Sequence, residues 1–321
     1  MMLKRSIKKT LEKLLKTIDL KDYGKKYQGK VRDYYLHEGK RILITTDRIS
    51  AFDRVLGFIP YKGQVLNQLY NYWFEKTKDI VSNHVISVPH PNVKIAKEAK
   101  PYPVEMVVRG YITGVTSTSI WRSYEKGERV IYGIRFPDGL RKNDQLKNPV
   151  ITPTTKAEHG GHDQRLTKKE ILKKRLIPEK VYMRMEKAAL ALYKRGNDIC
   201  KKKGLILVDT KYEFAEYRGQ LMIIDEMHTP DSSRFWRKNS YLERFKKGLE
   251  PENFDKEFFR IWYANKGYTG DGDPPRMSTE LQILTALRYI KIFELITGKK
   301  FKPEVYSIEI SIKKALENYY Y

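Results

Sequence analysis

Cysteine is nearly absent from this chain: Cys200 stands alone among 321 residues, so no internal disulfide framework can form and a reducing compartment is suited. Long apolar runs are missing as well. No stretch approaches the roughly 20 apolar residues that a helix needs to cross a membrane. Neither G-x-x-x-x-G-K-[ST] nor G-x-G-x-x-G occurs, which removes the P-loop and the Rossmann fingerprint as routes to a nucleotide site. Acidic residues are in deficit, 39 against 63 basic ones, for a net charge of +24. Such a surface attracts anions, whether nucleic acid, membrane phosphates or small phosphorylated and carboxylated metabolites. The lysines are scattered along the whole chain and gathered in no tail, so most read as solvated surface.

The length is enough for a sizeable core in two lobes. Residues 1–20 put Leu3, Ile7, Leu11, Leu14, Leu15 and Ile18 on one helical face opposite lysines. Glu12, Asp19 and the lack of a continuous apolar stretch argue for a helix packed on the domain over a targeting element, and a cytoplasmic protein is expected. A β-meander follows, with strands at 31–36 and 41–46 around a Glu38-Gly39 turn, then a helix over 63–77. The segment "VPHPNVKIAKEAKPYP", residues 88–103, is the expected inter-lobe connection. A buried strand over 104–114, two helices ended by Pro178 and Gly204, a hairpin and closing helices that include 279–297 complete the pattern. Strands grouped toward the front, with helices behind and between, indicate an α+β protein divided into 1–103 and 104–321.

The hairpin carries the chemistry. In "GLILVDTKYEFAEYRGQLMIID", Asp209, Lys211 and Glu213 alternate along one strand and share a face, while Val208, Thr210 and Tyr212 take the other. Buried ion pairs are a poor source of stability, so a working site is the stronger reading than a face of surface salt bridges. A three-residue Tyr217-Arg218-Gly219 loop would set Asp225 opposite Lys211 on that face; a two-residue Arg218-Gly219 loop would turn it away. The three-residue loop is expected, giving three carboxylates around a lysine, a suitable setting for Mg²⁺ and a nucleotide. "TPDSSRFW" adds Asp231, Ser232, Ser233 and Arg234 for an anionic substrate. His159 and His162 of "KAEHGGHD" read as polar loop contacts more than zinc ligands, because two glycines separate them.

Taken together, "GKVRD", "TTDRISAFD", "YPVEMVVRGYITG", "TPTTKAEHGGHD", "GLILVDTKYEF" and "IIDEMHTPDSSRFW", in this order, resemble the SAICAR synthetase family of purine biosynthesis over residues 20–300. The resemblance implies a two-lobed SAICAR synthetase fold similar to protein kinases and ATP-grasp enzymes. It implies a ligase that uses ATP and Mg²⁺ to join L-aspartate to the carboxylate of carboxyaminoimidazole ribonucleotide (CAIR), with no nucleic-acid or membrane partner. By the same resemblance Gly29, Lys30, Arg32 and Glu105 would contact ATP, and Glu213 and Asp225 would hold the metal. Asp209 and Lys211 would be catalytic, and Ser50, Asp53, Arg109, Lys156, Ser233 and Arg234 would line the substrate cleft. Two departures stand out. Gly114 is followed by "VTSTSIW" where the family has Gly-Ser, which passes the serine role to Ser117 or Ser119; Ala215 replaces a glycine. A hydroxyl-directed phosphotransferase shares the acid cluster, and a basic RNA-binding protein shares the charge and the 23 tyrosines.

Overall fold

The computed structural model describes residues 2–156 and 163–320, so the segment with His159 and His162 lies outside the described residues. The first sheet has five strands in the order β1-β2-β3-β7-β6. They are β1 (Lys26–Gln28), β2 (Arg32–His37), β3 (Lys40–Thr45), β6 (Val85–His90) and β7 (Val93–Lys97), with β4 (Arg48–Ala51) and β5 (Arg54–Phe58) as a separate hairpin. The second sheet runs β11-β8-β13-β14, with β12 on β8 and β15 on β13. It contains β8 (Lys100–Tyr111), β11 (Gln145–Ile151), β12 (Thr154–Thr155), β13 (Leu205–Tyr217), β14 (Gln220–Ile224) and β15 (Ser233–Arg237). A small hairpin of β9 (Val130–Ile131) and β10 (Ile134–Arg135) stands beside it. The helices are α1 (Met2–Thr10), α2 (Lys62–Thr77), α3 (Ile120–Tyr124), α4 (Lys168–Lys173), α5 (Glu179–Lys202), α6 (Lys238–Lys246), α7 (Glu257–Ala264), α8 (Thr279–Thr297) and α9 (Glu309–Tyr320). The α+β character read from the sequence is present.

Three expectations are corrected. The first helix stops at Thr10; Leu14, Leu15 and Ile18 are buried along irregular chain. Carboxylates there replace the helical hydrogen bonds, Asp47 accepting from the Leu15 amide at 3.0 Å and Asp33 from the Ile18 amide at 3.1 Å. The proline-bearing segment is mostly strand, and the chain leaves one sheet at Lys97 and enters the next at Lys100. The hairpin loop has two residues: Tyr217 pairs with Gln220, and Arg218 and Gly219 take φ of 51° and 75°, a type I′ turn that matches strand twist.

Close packing sets the working face of β13. A register shift between Leu207 and Asp209 breaks the strict alternation, so Tyr212 shares the main core with Leu207 while Val208 packs with Tyr111 and Trp236. Helix α5 covers the first side. Its Tyr193 hydroxyl donates to the Leu207 carbonyl at 2.7 Å and lies 2.1 Å from where a Cβ on Gly110 would stand. Helices from the end of the chain return to the front, α8 against α1 and α2, and α9 against β6. The main core therefore runs from Ile7 to Leu316. Gly110→Ala should lose about 1–3 kcal/mol through overpacking in urea unfolding, and adding Tyr193→Phe should recover part of it. An unchanged midpoint in the single variant would contradict this packing.

Candidate active site

Arg109 on β8 and Arg234 on β15 flank Asp209 on β13, because both pair with it in register. Their guanidiniums reach Asp209 Oδ2 at 3.3 Å and 2.6 Å. Arg109 is anchored further by Nε donating to Thr152 Oγ1 at 2.8 Å and Nη2 donating to the Thr118 carbonyl at 3.1 Å. Burial lowers the Arg109 pKa from its ordinary value, with Asp209 opposing that effect. Four residues on, Glu213 pairs with Glu105 of β8, and Lys211 Nζ lies 2.6 Å from an oxygen of each. Burial would lower the Lys211 ammonium, but Glu213, Glu105 and Asp225 outweigh it and hold its pKa well above the usual range. Burial also pushes Glu105 up to about 6, Lys211 opposing and Glu213 reinforcing the rise.

Asp225 reaches this group by a different route from the one expected. The two-residue loop would turn it to the far face, yet its backbone is left-handed, φ 58°, just after β14 ends. The carboxylate lies within hydrogen-bonding reach of Glu213 and is held far below the usual carboxylate range; burial opposes this, while Arg32, Lys211 and Lys156 outweigh it. Arg32 of β2 forms an ion pair with Asp225 and places its other nitrogen 3.5 Å from Glu226. The first sheet is thereby tied to the second. Asp209 stands apart with its two arginines, so the expected trio of carboxylates around Lys211 is corrected to Glu105 and Glu213 with Asp225 beside them. Among the described residues no group of three or more His, Cys, Asp or Glu is arranged to hold a metal ion. Two adjoining carboxylates, Glu213 and Asp225, still fit Mg²⁺, which commonly takes one or two and completes its shell with phosphate and water.

The other candidates divide. Lys156 Nζ lies 2.5 Å from Glu213 Oε2. Gly29 and Lys30 form the β1–β2 turn, pinned by Arg48, which donates to both of their carbonyls. Lys30 extends to Asp53 at 2.6 Å. Asp53 sits in the β4–β5 turn at φ 60°, and Ser50 is buried in β4. A cavity of about 750 Å³ is lined by Asp53, Ser117, Arg122, Lys142, Arg234 and Arg260, among others. Ser117 thus faces open space, whereas the Ser119 hydroxyl is used as the N-cap of α3 and donates to the Thr116 carbonyl. Ser233 is turned from the acid–base face, its hydroxyl bonding Thr210 at 2.8 Å. Glu105 is engaged by Lys211 and by Thr154, at 3.1 Å. Ala215, where the resemblance implies a glycine, packs with Ala99 and Met222 just past a register shift in the β13–β8 pairing.

Asp231, read from sequence as a substrate contact, is buried beneath the site. Lys62 Nζ lies 2.8 Å from it, Lys256 3.7 Å, and the Tyr289 hydroxyl donates at 2.5 Å. These partners come from α2, the approach to α7, and α8, and no local spacing links them. Glu226, which meets Arg32, was also missed; its one signal is its position after Asp225.

Comparisons with known proteins give the family. A family profile described as SAICAR synthetase matches residues 25–276. A phosphoribosylaminoimidazole-succinocarboxamide synthase of Legionella pneumophila is 51% identical over 281 residues, 87% of this chain and 89% of the relative. One from Agrobacterium fabrum, named a putative synthase 2, is 50% identical over 280 residues with the same shares covered. Among solved structures, SAICAR synthase from Saccharomyces cerevisiae, complexed with SAICAR, superposes with a TM-score of 0.77 at 30% identity, covering 90% of this chain and 99% of the yeast one. A type-2 SAICAR synthetase in complex with ADP gives a TM-score of 0.66 at 25% identity, covering 87% of this chain and all of the other. The chain belongs to the SAICAR synthetase family: it is an ATP-dependent ligase that joins L-aspartate to the carboxylate of CAIR in de novo purine biosynthesis.

Proposed function

We propose that the charged face of β13, with Arg32 and the β1–β2 turn opposite, is where this ligation takes place. The observation that carries the reading is the contact of Lys211 with Glu105 and Glu213 beside an Asp225 that the backbone turns toward them. A carboxylate is a poor electrophile, so its oxygen attacks the γ-phosphorus of ATP and ADP leaves; the aspartate amine then attacks the acyl carbon, losing a proton as phosphate departs. Glu213 and Asp225 would hold Mg²⁺, which when bound supplies charge neutralisation at the phosphates. Gly29, Lys30 and Arg32 face the nucleotide phosphates from the first sheet. Lys156 and Lys211 neutralise charge around the transferring group. Arg109 and Arg234 hold the ribonucleotide, with Asp209 orienting both, while Ser117, Asp53 and Ser50 border the cleft. Glu105 serves as an anchor for Lys211. Residues 1–103 are proposed as the ATP-covering lobe and 104–321 as the substrate lobe, which suits the passage between sheets at 97–100. A cytoplasmic setting suits a single, buried free thiol. No helix of the described residues is long and apolar enough to cross a membrane.

Purified protein with ATP, Mg²⁺, CAIR and aspartate should yield SAICAR by product mass, and omission of aspartate should abolish it. A hydroxyl-directed phosphotransferase would instead release ADP without aspartate. Glu213→Gln and Asp225→Asn should each lower kcat at least about 100-fold. Asp225→Asn should also lower the thermal midpoint, because Arg32 loses the nearer of its two carboxylate partners; wild-type turnover in either variant would remove that side chain from the site.

A pH test isolates Glu105. Its folded pKa, raised from 4.5 to about 6, favours the protonated native state, so its contribution is fully present below pH 4.5 and is lost as pH rises through 6. The loss is about 2 kcal/mol across that window. Urea midpoints at pH 4.5 and 6.5 should show wild-type protein losing more stability than Glu105→Gln. Equal pH dependence in the two proteins would contradict the burial of this carboxyl.

A further inference from the structure

Tyr132 occupies a position that ordinary turn chemistry would give to another residue. Ile131 pairs with Ile134, leaving Tyr132 and Gly133 as a two-residue hairpin turn with φ of 57° and 75°. Such a type I′ turn favours Asn, Asp or Gly at its first position, and a bulky aromatic residue with positive φ is an outlier. The ring is buried in the satellite cluster of Ile112, Ile120, Tyr124 and Phe136. Apolar burial alone does not require a tyrosine there. The hydroxyl supplies the missing reason: it donates to the Thr118 carbonyl at 2.7 Å, the same oxygen that receives Arg109 Nη2 at 3.1 Å. It also lies within hydrogen-bonding reach of the Arg109 guanidinium itself.

The neighbouring carbonyl is held in parallel. Arg165 stands 5.7 Å from the Tyr132 ring centroid and donates through Nε to the Ser117 carbonyl at 3.0 Å. Ser117 lines the cavity that Arg234 also enters. The turn therefore meets Arg109 and the Ser117–Thr118 rim of the cleft at the same point.

We infer that Tyr132 is a positioning residue for the ligation, one that fixes Arg109 and the Ser117–Thr118 segment in the orientation that receives CAIR. This rests on the assignment of Arg109 to the ribonucleotide. The unfavourable backbone conformation launches the side chain so that its hydroxyl reaches the Thr118 carbonyl that Arg109 also meets.

Tyr132→Phe keeps the ring and its packing and deletes only the hydroxyl. Steady-state kinetics on wild type, Tyr132→Phe, Arg109→Lys and the double variant should be measured with CAIR and ATP varied separately, alongside thermal midpoints. Tyr132→Phe should raise the KM for CAIR about 10-fold, the scale of one hydrogen bond to a charged group. Its KM for ATP should stay within about 2-fold and its midpoint within a few degrees. Arg109→Lys should raise the KM for CAIR further, and the double variant should match Arg109→Lys within about 3-fold, since Tyr132 acts through Arg109. An unchanged KM for CAIR in Arg109→Lys overturns the assignment of Arg109 and the inference with it. A raised value there with a wild-type value in Tyr132→Phe, equal rises for CAIR and ATP, or fully multiplicative effects in the double variant overturn the inference alone.

Discussion

Pairwise neutralisation of buried charge along β13 is the constraint on which the rest of the structure depends. Asp209 is set between two arginines, and Lys211 between two glutamates, by the register of β8 and β15 on that strand. Loss of the central member, Asp209 or Lys211, would leave two like charges facing each other in poor solvent. The sheet therefore has to keep its register, and the register shift beyond Leu207 lets apolar Val208 and charged Asp209 serve the same side without mixing their environments.

The same constraint explains how the two sheets meet. Arg32 comes from the first sheet and finds its counter-charges at Asp225 and Glu226 on the second. Lys62 of α2 finds its own at Asp231, buried a few residues further along. Electrostatic pairing across the junction is reinforced by backbone contact, the Ile223 amide donating to the Ser82 carbonyl at 2.9 Å. The final helices then close the front of the molecule, so the two sheets share one apolar core.

Much of this was legible in the sequence. Period-2 alternation identified Asp209, Lys211 and Glu213 as sharing a face, and the 63–77 helix and the 279–297 helix lie within a residue or so of expectation. What failed was the geometry of single residues. Loop length at Arg218-Gly219 could not be told from composition, and the left-handed Asp225 that restores the expected meeting is a backbone choice with no periodic signature. The serines show the same limit: Ser117 and Ser119 are equivalent as letters, and only the start of α3 consumes one as a cap. Long-range partners such as Arg32 with Asp225, or Lys62 with Asp231, are separated by more than a hundred residues and become neighbours only through sheet topology.

If the charges on β13 exist for chemistry and not for cohesion, they can be removed together without harm to the fold. The most direct measurement is turnover and urea stability of a protein carrying Glu105→Gln, Lys211→Met and Glu213→Gln at once. The account predicts a protein at least as stable as wild type, since neutral side chains of similar volume commonly replace buried ion groups without loss, and no detectable SAICAR formation. Retained turnover, or a cooperative fold lost along with the charges, would contradict it.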